Sequence, residues 1–223
     1  MIVPRNLFEA AFPNAGLKMI FIHTPKCGGS FVNNAFGKRF KNCSTKRWKE
    51  AKGHRTYLEY RDIFRNRGES IHDYVLFAVV RNPWDWHLSW YNYVSKDIGG
   101  KKSGMLIEHE QIRNFTFSEY LKWLEDANQP RSKDDYARKQ MSDWLIDDDG
   151  HLAVKHILRQ ERLERDLLDF KALFGLRIDV KLGRRINASR DAHDYRSAYS
   201  TAEADMIARR HARDIALLRY VFE

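Results

Sequence analysis

The sequence has few cysteines and no long hydrophobic run, and each absence excludes a class of protein. Two of the 223 residues are cysteines, Cys27 and Cys43. They are too few for a disulfide framework, and four-ligand zinc spacing is absent. The longest apolar run, 74–80, is far shorter than the roughly 18 residues that a membrane helix needs. Charged residues such as Arg5 and Glu9 near the N-terminus argue against a secretory signal peptide. We therefore expect a cytoplasmic protein without a transmembrane segment.

Acidic residues are in the minority. The chain has 39 Lys and Arg residues against 30 Asp and Glu residues, which gives a formal net charge of +9 at pH 7 and a sequence pI of about 9.5. This excess favours anionic partners such as nucleotides, sulfated sugars, nucleic acids or anionic lipids. It is concentrated in the segment 38–55 and in a second cluster formed by Lys181, Arg184, Arg185 and Arg190. Such runs are often only solvated surface, but we interpret 38–55 as lining the entrance for an anionic acceptor.

The composition is that of a globular protein, and strands alternate with helices along the chain. Hydrophobic residues make up 43% and charged residues 31% of the sequence, and its length suits one domain, 1–223. The pattern predicts strands at 18–23, 74–80 and 153–158. It predicts helices at 30–40, 55–67, 83–94 and 161–174, capping boxes that open further helices after Thr116 and Ser200, and a loop at 98–114. This alternation indicates an α/β fold with a mainly parallel central sheet flanked by helices.

A glycine-containing loop with one lysine follows the first predicted strand. Residues 24–30 read Thr-Pro-Lys-Cys-Gly-Gly-Ser. Gly28 and Gly29 allow the backbone to approach an oxyanion, and N–H groups at a helix start can bind it. Lys26 adds a positive charge and Ser30 a hydroxyl. The lysine precedes the glycines, so this is not a Walker A sequence. The loop predicts a P-loop-like phosphate site, with a simple tight turn as the alternative.

A second anion-binding pattern follows the second predicted strand. Arg81 ends this strand in the sequence Arg-Asn-Pro-Trp-Asp, and Ser89 lies in the next helix. Arg81 stands where a P-loop NTPase would often hold magnesium through an aspartate. Because ligands bind at the carboxyl ends of parallel strands, this pair could bind a second phosphate. Two such sites imply a ligand with phosphates at both ends of a nucleoside.

These motifs resemble those of sulfotransferases that use 3′-phosphoadenosine-5′-phosphosulfate (PAPS). Residues 24–30 are similar to their 5′-phosphosulfate loop, and Arg81 with Ser89 to their 3′-phosphate motif. The likeness is greatest to the carbohydrate group that includes heparan sulfate 2-O-sulfotransferase and its soluble bacterial relatives. Further similar segments follow in order: Gly53-His54, 158–161 with Leu163, 187–189 with Tyr195 and Tyr199, and 214–222. The chain departs from the usual pattern at Cys27, Phe31 and Trp86.

The resemblance implies an enzyme that transfers a sulfuryl group from PAPS to an acceptor hydroxyl. The reaction is an in-line displacement that releases 3′,5′-ADP, and positioning and charge stabilisation dominate it, as in phosphoryl transfer. The implied acceptor is a glycan or a glycolipid. The resemblance implies neither a required metal nor a nucleic-acid partner, and it is compatible with peripheral contact of the protein with a membrane. The residues that it assigns to the cofactor are Pro25, Lys26, Cys27, Gly28, Gly29, Ser30, Phe31, Arg81, Ser89, Asn187 and Ser189.

An alcohol acceptor must also lose its proton, and a histidine is the natural base near neutral pH. The chain has nine histidines. His54 lies between the two phosphate motifs and resembles the family's base position, so we assign catalysis to His54 and Lys26. His23 and Glu161 are alternative bases, but a structural role is the simpler interpretation of His23, and a structural or substrate contact that of Glu161.

Two other classes of function stay open. A small-molecule kinase or another P-loop NTPase would need magnesium and a nucleoside triphosphate. A non-catalytic nucleic-acid-binding module is suggested only by the net charge. Binding of 3′,5′-ADP without metal distinguishes the sulfotransferase from the first alternative, and steeply salt-dependent DNA binding would support the second.

Overall fold

A computed structural model of the chain describes residues 17–37, 53–95, 106–129, 135–180 and 194–222. Its strands are β1 (Met19–Ile22), β2 (Val75–Val80) and β3 (His156–Arg159). Its α-helices are α1 (Gly29–Ala35), α2 (Tyr57–Arg65), α3 (Pro83–Val94), α4 (Leu106–Ile112), α5 (Phe117–Glu125), α6 (Leu163–Phe174), α7 (Thr201–Arg210) and α8 (Ala212–Leu218). Short 3₁₀ helices include Met141–Trp144 and Gln160–Arg162. None of the helices in these ranges is long and apolar enough to cross a membrane.

The three strands form a parallel sheet in the order β1-β2-β3. Ile20 lies opposite Leu76, and Ala78 lies opposite Ile157. All four residues of β1 are buried, as are five of the six residues of β2. Burial of both faces explains why these strands read as continuous apolar runs rather than as alternating ones. The predicted α/β fold with a parallel sheet flanked by helices is confirmed.

The contacts group the described residues into two compact units. The first lies within Met1–Arg81 and Met141–Asn187, and it contains the sheet with α1, α2 and α6. The second lies within Asn82–Gln140 and Ala188–Glu223, and it contains α3, α4, α5, α7 and α8. Large aromatic side chains fill the core of the second unit, among them the fully buried Trp86 and Tyr120. The interpretation of 1–223 as a single domain stays a prediction.

Helix starts with a strong local signal lie where they are predicted. Helix α3 spans Pro83–Val94, and the Asn82 side chain accepts a hydrogen bond from the Trp84 N–H at 3.1 Å. Proline suits this first turn because its missing N–H would have no helical partner there. The capping boxes at Thr116 and Ser200 both form at the starts of α5 and α7. The prediction is therefore confirmed at these three helix starts.

One predicted loop and one predicted helix end are wrong. The segment predicted as a loop over 98–114 contains helix α4, Leu106–Ile112. The glycines that suggested a loop all precede Leu106, and Ile112 is fully buried, so a buried apolar residue anchors the helix. Helix α1 ends at Ala35 rather than near residue 40, because Gly37 adopts the left-handed conformation with φ 89° and turns the chain away.

Candidate active site

The carboxyl ends of all three strands meet at one edge of the sheet, because the strands are parallel. The loop 23–28 follows β1, Arg81 follows β2, and the 3₁₀ helix Gln160–Arg162 follows β3. Val80 and Arg159 are register partners, so the ends of β2 and β3 are level. The first compact unit therefore places the lysine loop and Arg81 on the same edge.

The loop after β1 has a backbone that few residues adopt. Lys26 has φ 60° and Gly28 has φ 78°, both in the left-handed region. A non-glycine residue there costs about 1 kcal/mol or more, and such strain persists only where the surroundings enforce it. The N–H of Phe31 donates to the carbonyl oxygen of Gly28 at 2.9 Å, which starts α1. The strained residue of this loop is therefore Lys26, the lysine that the sequence analysis assigns to the phosphate site.

The two glycines of this loop are required by close packing. A Cβ on Gly28 would lie 2.7 Å from Leu163 Cδ2, at the start of α6. A Cβ on Gly29 would fall within the imidazole ring of His23. A side chain has no room at Gly29, whereas at Gly28 the φ of 78° is the stronger constraint, because Leu163 Cδ2 is the flexible end of a side chain. The loop is packed against α6 on one side and against His23 on the other. The glycines thus give the loop a fixed position as well as its turn.

The structure brings the lysine loop and Arg81 into contact. The Arg81 Nη1 donates a hydrogen bond to the carbonyl oxygen of Lys26 at 3.1 Å. The Arg81 backbone N–H donates to Met141 Sδ at 3.4 Å, and Cys27 Sγ donates to the same sulfur at 3.9 Å. Two motifs that are 55 residues apart are therefore joined both directly and through Met141.

His54 is fastened to the end of β1. Its Nδ1 lies 2.7 Å from the carbonyl oxygen of His23. A carbonyl oxygen can only accept, so Nδ1 carries the proton, and Nε2 is the basic nitrogen of the neutral ring. The carbonyl oxygen of His54 accepts a hydrogen bond from Trp144 Nε1 at 2.9 Å. Both the ring and the backbone of His54 are thus held in place.

His23 supports this arrangement without being suited to act as a base. Its ring stacks on Phe21, with centroids 5.1 Å apart, and lies 4.3 Å from the ring of His54. Burial, and to a smaller extent the charge of a protonated His54, lower the pKa of His23 to about 3. A base with so low a pKa binds protons poorly near neutral pH. These contacts favour the structural interpretation of His23.

The other residues assigned to the cofactor have varied surroundings. Pro25 and Cys27 are buried, so the loop backbone rather than the Cys27 thiol is placed to meet a ligand. Ser30 is exposed and Phe31 is half-buried. Ser89 lies on α3, in the second unit, and is 8% exposed.

Several predicted residues lie outside the described ranges. They are Asn187, Ser189, most of the basic segment 38–55 and the basic cluster at Lys181, Arg184, Arg185 and Arg190. Glu161, the alternative base, is exposed in the 3₁₀ helix that follows β3. Its expected role as a substrate or structural contact stays a prediction.

A buried hydroxyl at the start of the loop fits an oxyanion ligand. Thr24 is fully buried, and its Oγ1 has no hydrogen-bond partner within the described residues. Buried hydroxyls are nearly always bonded, so this one needs a partner beyond the described residues, such as a bound oxyanion. Sequence reasoning missed Thr24, and it also missed Met141 and Trp144, which carry no local motif.

Comparison with known proteins gives one family. A family model described as "Sulfotransferase family" matches residues 12–222. No curated protein and no solved structure matches the chain.

Proposed function

The chain belongs to the sulfotransferase family, and from this premise we propose that it transfers the sulfuryl group of PAPS to a hydroxyl of a carbohydrate or glycolipid. When bound, PAPS supplies the sulfuryl group and leaves as 3′,5′-ADP. One observation carries the proposal beyond the family: Arg81 and His54 are each hydrogen-bonded to the loop that follows β1. The net charge of +9 suits both an anionic nucleotide and an anionic acceptor.

We assign the 5′-phosphosulfate to the loop, Pro25 to Phe31. Two observations support this assignment: the left-handed backbone at Lys26 and Gly28, and the buried Thr24 hydroxyl, which has no hydrogen-bond partner within the described residues. The Lys26 ammonium would stabilise the negative charge that develops on the leaving phosphate oxygen. Because the lysine supplies this stabilisation, the proposal requires no divalent metal.

We assign the 3′-phosphate to Arg81, whose guanidinium matches the geometry of phosphate oxygens. Its bond to the carbonyl oxygen of Lys26 holds it beside the phosphosulfate loop. Ser89, Asn187 and Ser189 join this assignment from the resemblance of their motifs. The proposal also places the protein in the cytoplasm, a reducing compartment that suits the buried thiol of Cys27.

His54 is the proposed general base. Its Nε2 accepts the proton of the acceptor hydroxyl as the new oxygen–sulfur bond forms and the bond to the leaving phosphate oxygen breaks. The carbonyl oxygen of His23, 2.7 Å from Nδ1, keeps Nε2 as the basic nitrogen and stabilises the imidazolium that results. The assignment therefore uses the backbone of His23 and leaves its side chain in the structural role.

An acceptor screen with sulfur-labelled PAPS tests this function. The panel consists of glycans and glycolipids, and the proteins are the parent, Lys26→Ala, His54→Ala and the exposed-histidine control His72→Ala. We expect His54→Ala to bind 3′,5′-ADP normally but to lose about 10²- to 10⁴-fold in transfer rate. Lys26→Ala should lose transfer while its fold is kept, and His72→Ala should retain transfer.

Two results would count against the proposal. Failure of the parent to bind 3′,5′-ADP would remove the sulfotransferase function itself. Normal turnover by His54→Ala would leave that function standing and move the base to another residue.

A further inference from the structure

We infer that Trp144 is a positioning residue for the base, and that the 3₁₀ turn Met141–Trp144 supports His54 and the nucleotide loop together. The inference rests on the proposed function and adds residues that neither of the two phosphate motifs contains. Trp144 lies 90 residues from His54 in the sequence, so the fold alone brings them into contact.

The contact between Trp144 and His54 is well placed to control the base. The indole of Trp144 is fully buried, and its Nε1 donates to the backbone carbonyl oxygen of His54 at 2.9 Å. The ring of His54 is held separately by the carbonyl oxygen of His23. The Trp144 bond therefore fixes the His54 backbone at the position from which Nδ1 can reach that carbonyl.

The other end of the same turn contacts both phosphate motifs. Met141 is fully buried. Its sulfur accepts from the backbone N–H of Arg81 at 3.4 Å and from Cys27 Sγ at 3.9 Å. One turn of four residues thus contacts the phosphosulfate loop, the end of β2 and the base.

The turn itself is firmly anchored. The N–H groups of Leu145 and Ile146 both donate to the carbonyl oxygen of Ser142, at 2.9 and 3.1 Å. Ile146 also forms an antiparallel bridge with Leu152. The hairpin that follows is tied to α2 by the ion pair between Arg61 and Asp148. A turn held in this way can transmit its position to the groups that it contacts.

Relative position matters for this chemistry, because in-line displacement needs the base, the acceptor and the leaving group in one geometry. A misplacement of about 1 Å can cost about 100-fold in rate. A support shared by the base and the nucleotide loop restricts such a displacement. Trp144 therefore acts through His54 and does not itself touch the reacting atoms.

The test compares Trp144→Phe with Trp123→Phe. Trp123 is 3% exposed and its indole donates to Gln111 Oε1 at 3.0 Å, so the control removes an equally buried indole bond elsewhere. Nitrogen NMR of the histidine rings reports the tautomer of His54, identified by the signals that His54→Gln removes. Calorimetry with 3′,5′-ADP reports nucleotide binding in the same proteins.

We expect the parent and Trp123→Phe to show His54 protonated on Nδ1. Trp144→Phe should lose this signature and give averaged signals from both tautomers, while 3′,5′-ADP still binds. An unchanged His54 spectrum in Trp144→Phe would overturn the inference. Protonation of His54 on Nε2 in the parent protein would also overturn it, and that measurement does not depend on the folding of any variant. If the parent does not bind 3′,5′-ADP, the proposed function is refuted instead, so the two failures are distinguishable.

Discussion

Replacing His23 with asparagine should remove a large part of the acid sensitivity of this fold. The folded protein keeps His23 neutral down to its lowered pKa of about 3, whereas an unfolded histidine binds a proton below about pH 6.5. Between these values the unfolded state holds one more proton, so stability falls as the pH falls. The linkage relation gives a loss of about 2 kcal/mol from this histidine alone between about pH 7.5 and about pH 5.

Other histidines also make the free energy of unfolding fall as the pH falls. Burial lowers the pKa of His87 well below its ordinary value, with smaller contributions from the nearby charges of His211 and Arg210, and burial also lowers the pKa of His156. The parent should therefore lose more stability than His23 explains. His23→Asn should reduce this loss of stability by about 2 kcal/mol, the contribution of the one proton that His23 binds on unfolding. The substitution keeps the backbone carbonyl to which His54 is bonded.

The measurement is urea unfolding followed by tryptophan fluorescence at a series of pH values. Asparagine leaves a cavity beneath Gly29, so the difference in pH slope is compared rather than the stability at any one pH. His72→Asn, which removes a solvent-exposed histidine, is the matched control and should keep the slope of the parent. An identical slope in His23→Asn and the parent would show that His23 does not take up a proton on unfolding in this pH range.

Three further outcomes are expected. Gly29→Ala places a methyl group in the His23 ring and should cost about 1–3 kcal/mol in urea unfolding, with weaker 3′,5′-ADP binding in calorimetry; unchanged values would contradict the packing. Lys26→Gly should be about 1 kcal/mol more stable than Lys26→Ala because the φ of 60° favours glycine, and both should be inactive in the labelled-PAPS assay. Asp214→Ala should cost about 3 kcal/mol or more, since it removes the buried partner 2.8 Å from His211 Nδ1; Asp214→Asn, whose amide oxygen can still accept, should cost less in the same unfolding assay.

The features that the sequence predicts well are those with a strong local signal. The apolar runs of β1 and β2 and the proline that opens α3 each lie within a few residues. Helix α4 was missed because the glycines before Leu106 suggested a loop, while burial of Ile112 depends on tertiary packing. Local pattern thus locates the sheet, whereas packing decides this short helix.

The same division holds for the site. Linear motifs identify the Lys26 loop, Arg81 and the candidate base His54. They do not identify Met141 or Trp144, which act through contacts that span 60 to 114 residues of sequence. A sulfur and an indole N–H have no characteristic spacing, so only the fold brings them to the site.

Whether this chain binds the nucleotide of PAPS without a metal is tested directly by calorimetric titration of 3′,5′-ADP into the parent protein in the presence of a metal chelator. We expect saturable binding at one site, which Lys26→Ala and Arg81→Ala each weaken and the control His72→Ala leaves intact. The opposite result would be no binding of 3′,5′-ADP, together with binding of a nucleoside triphosphate in a parallel titration with magnesium and without the chelator. That result would contradict a PAPS site.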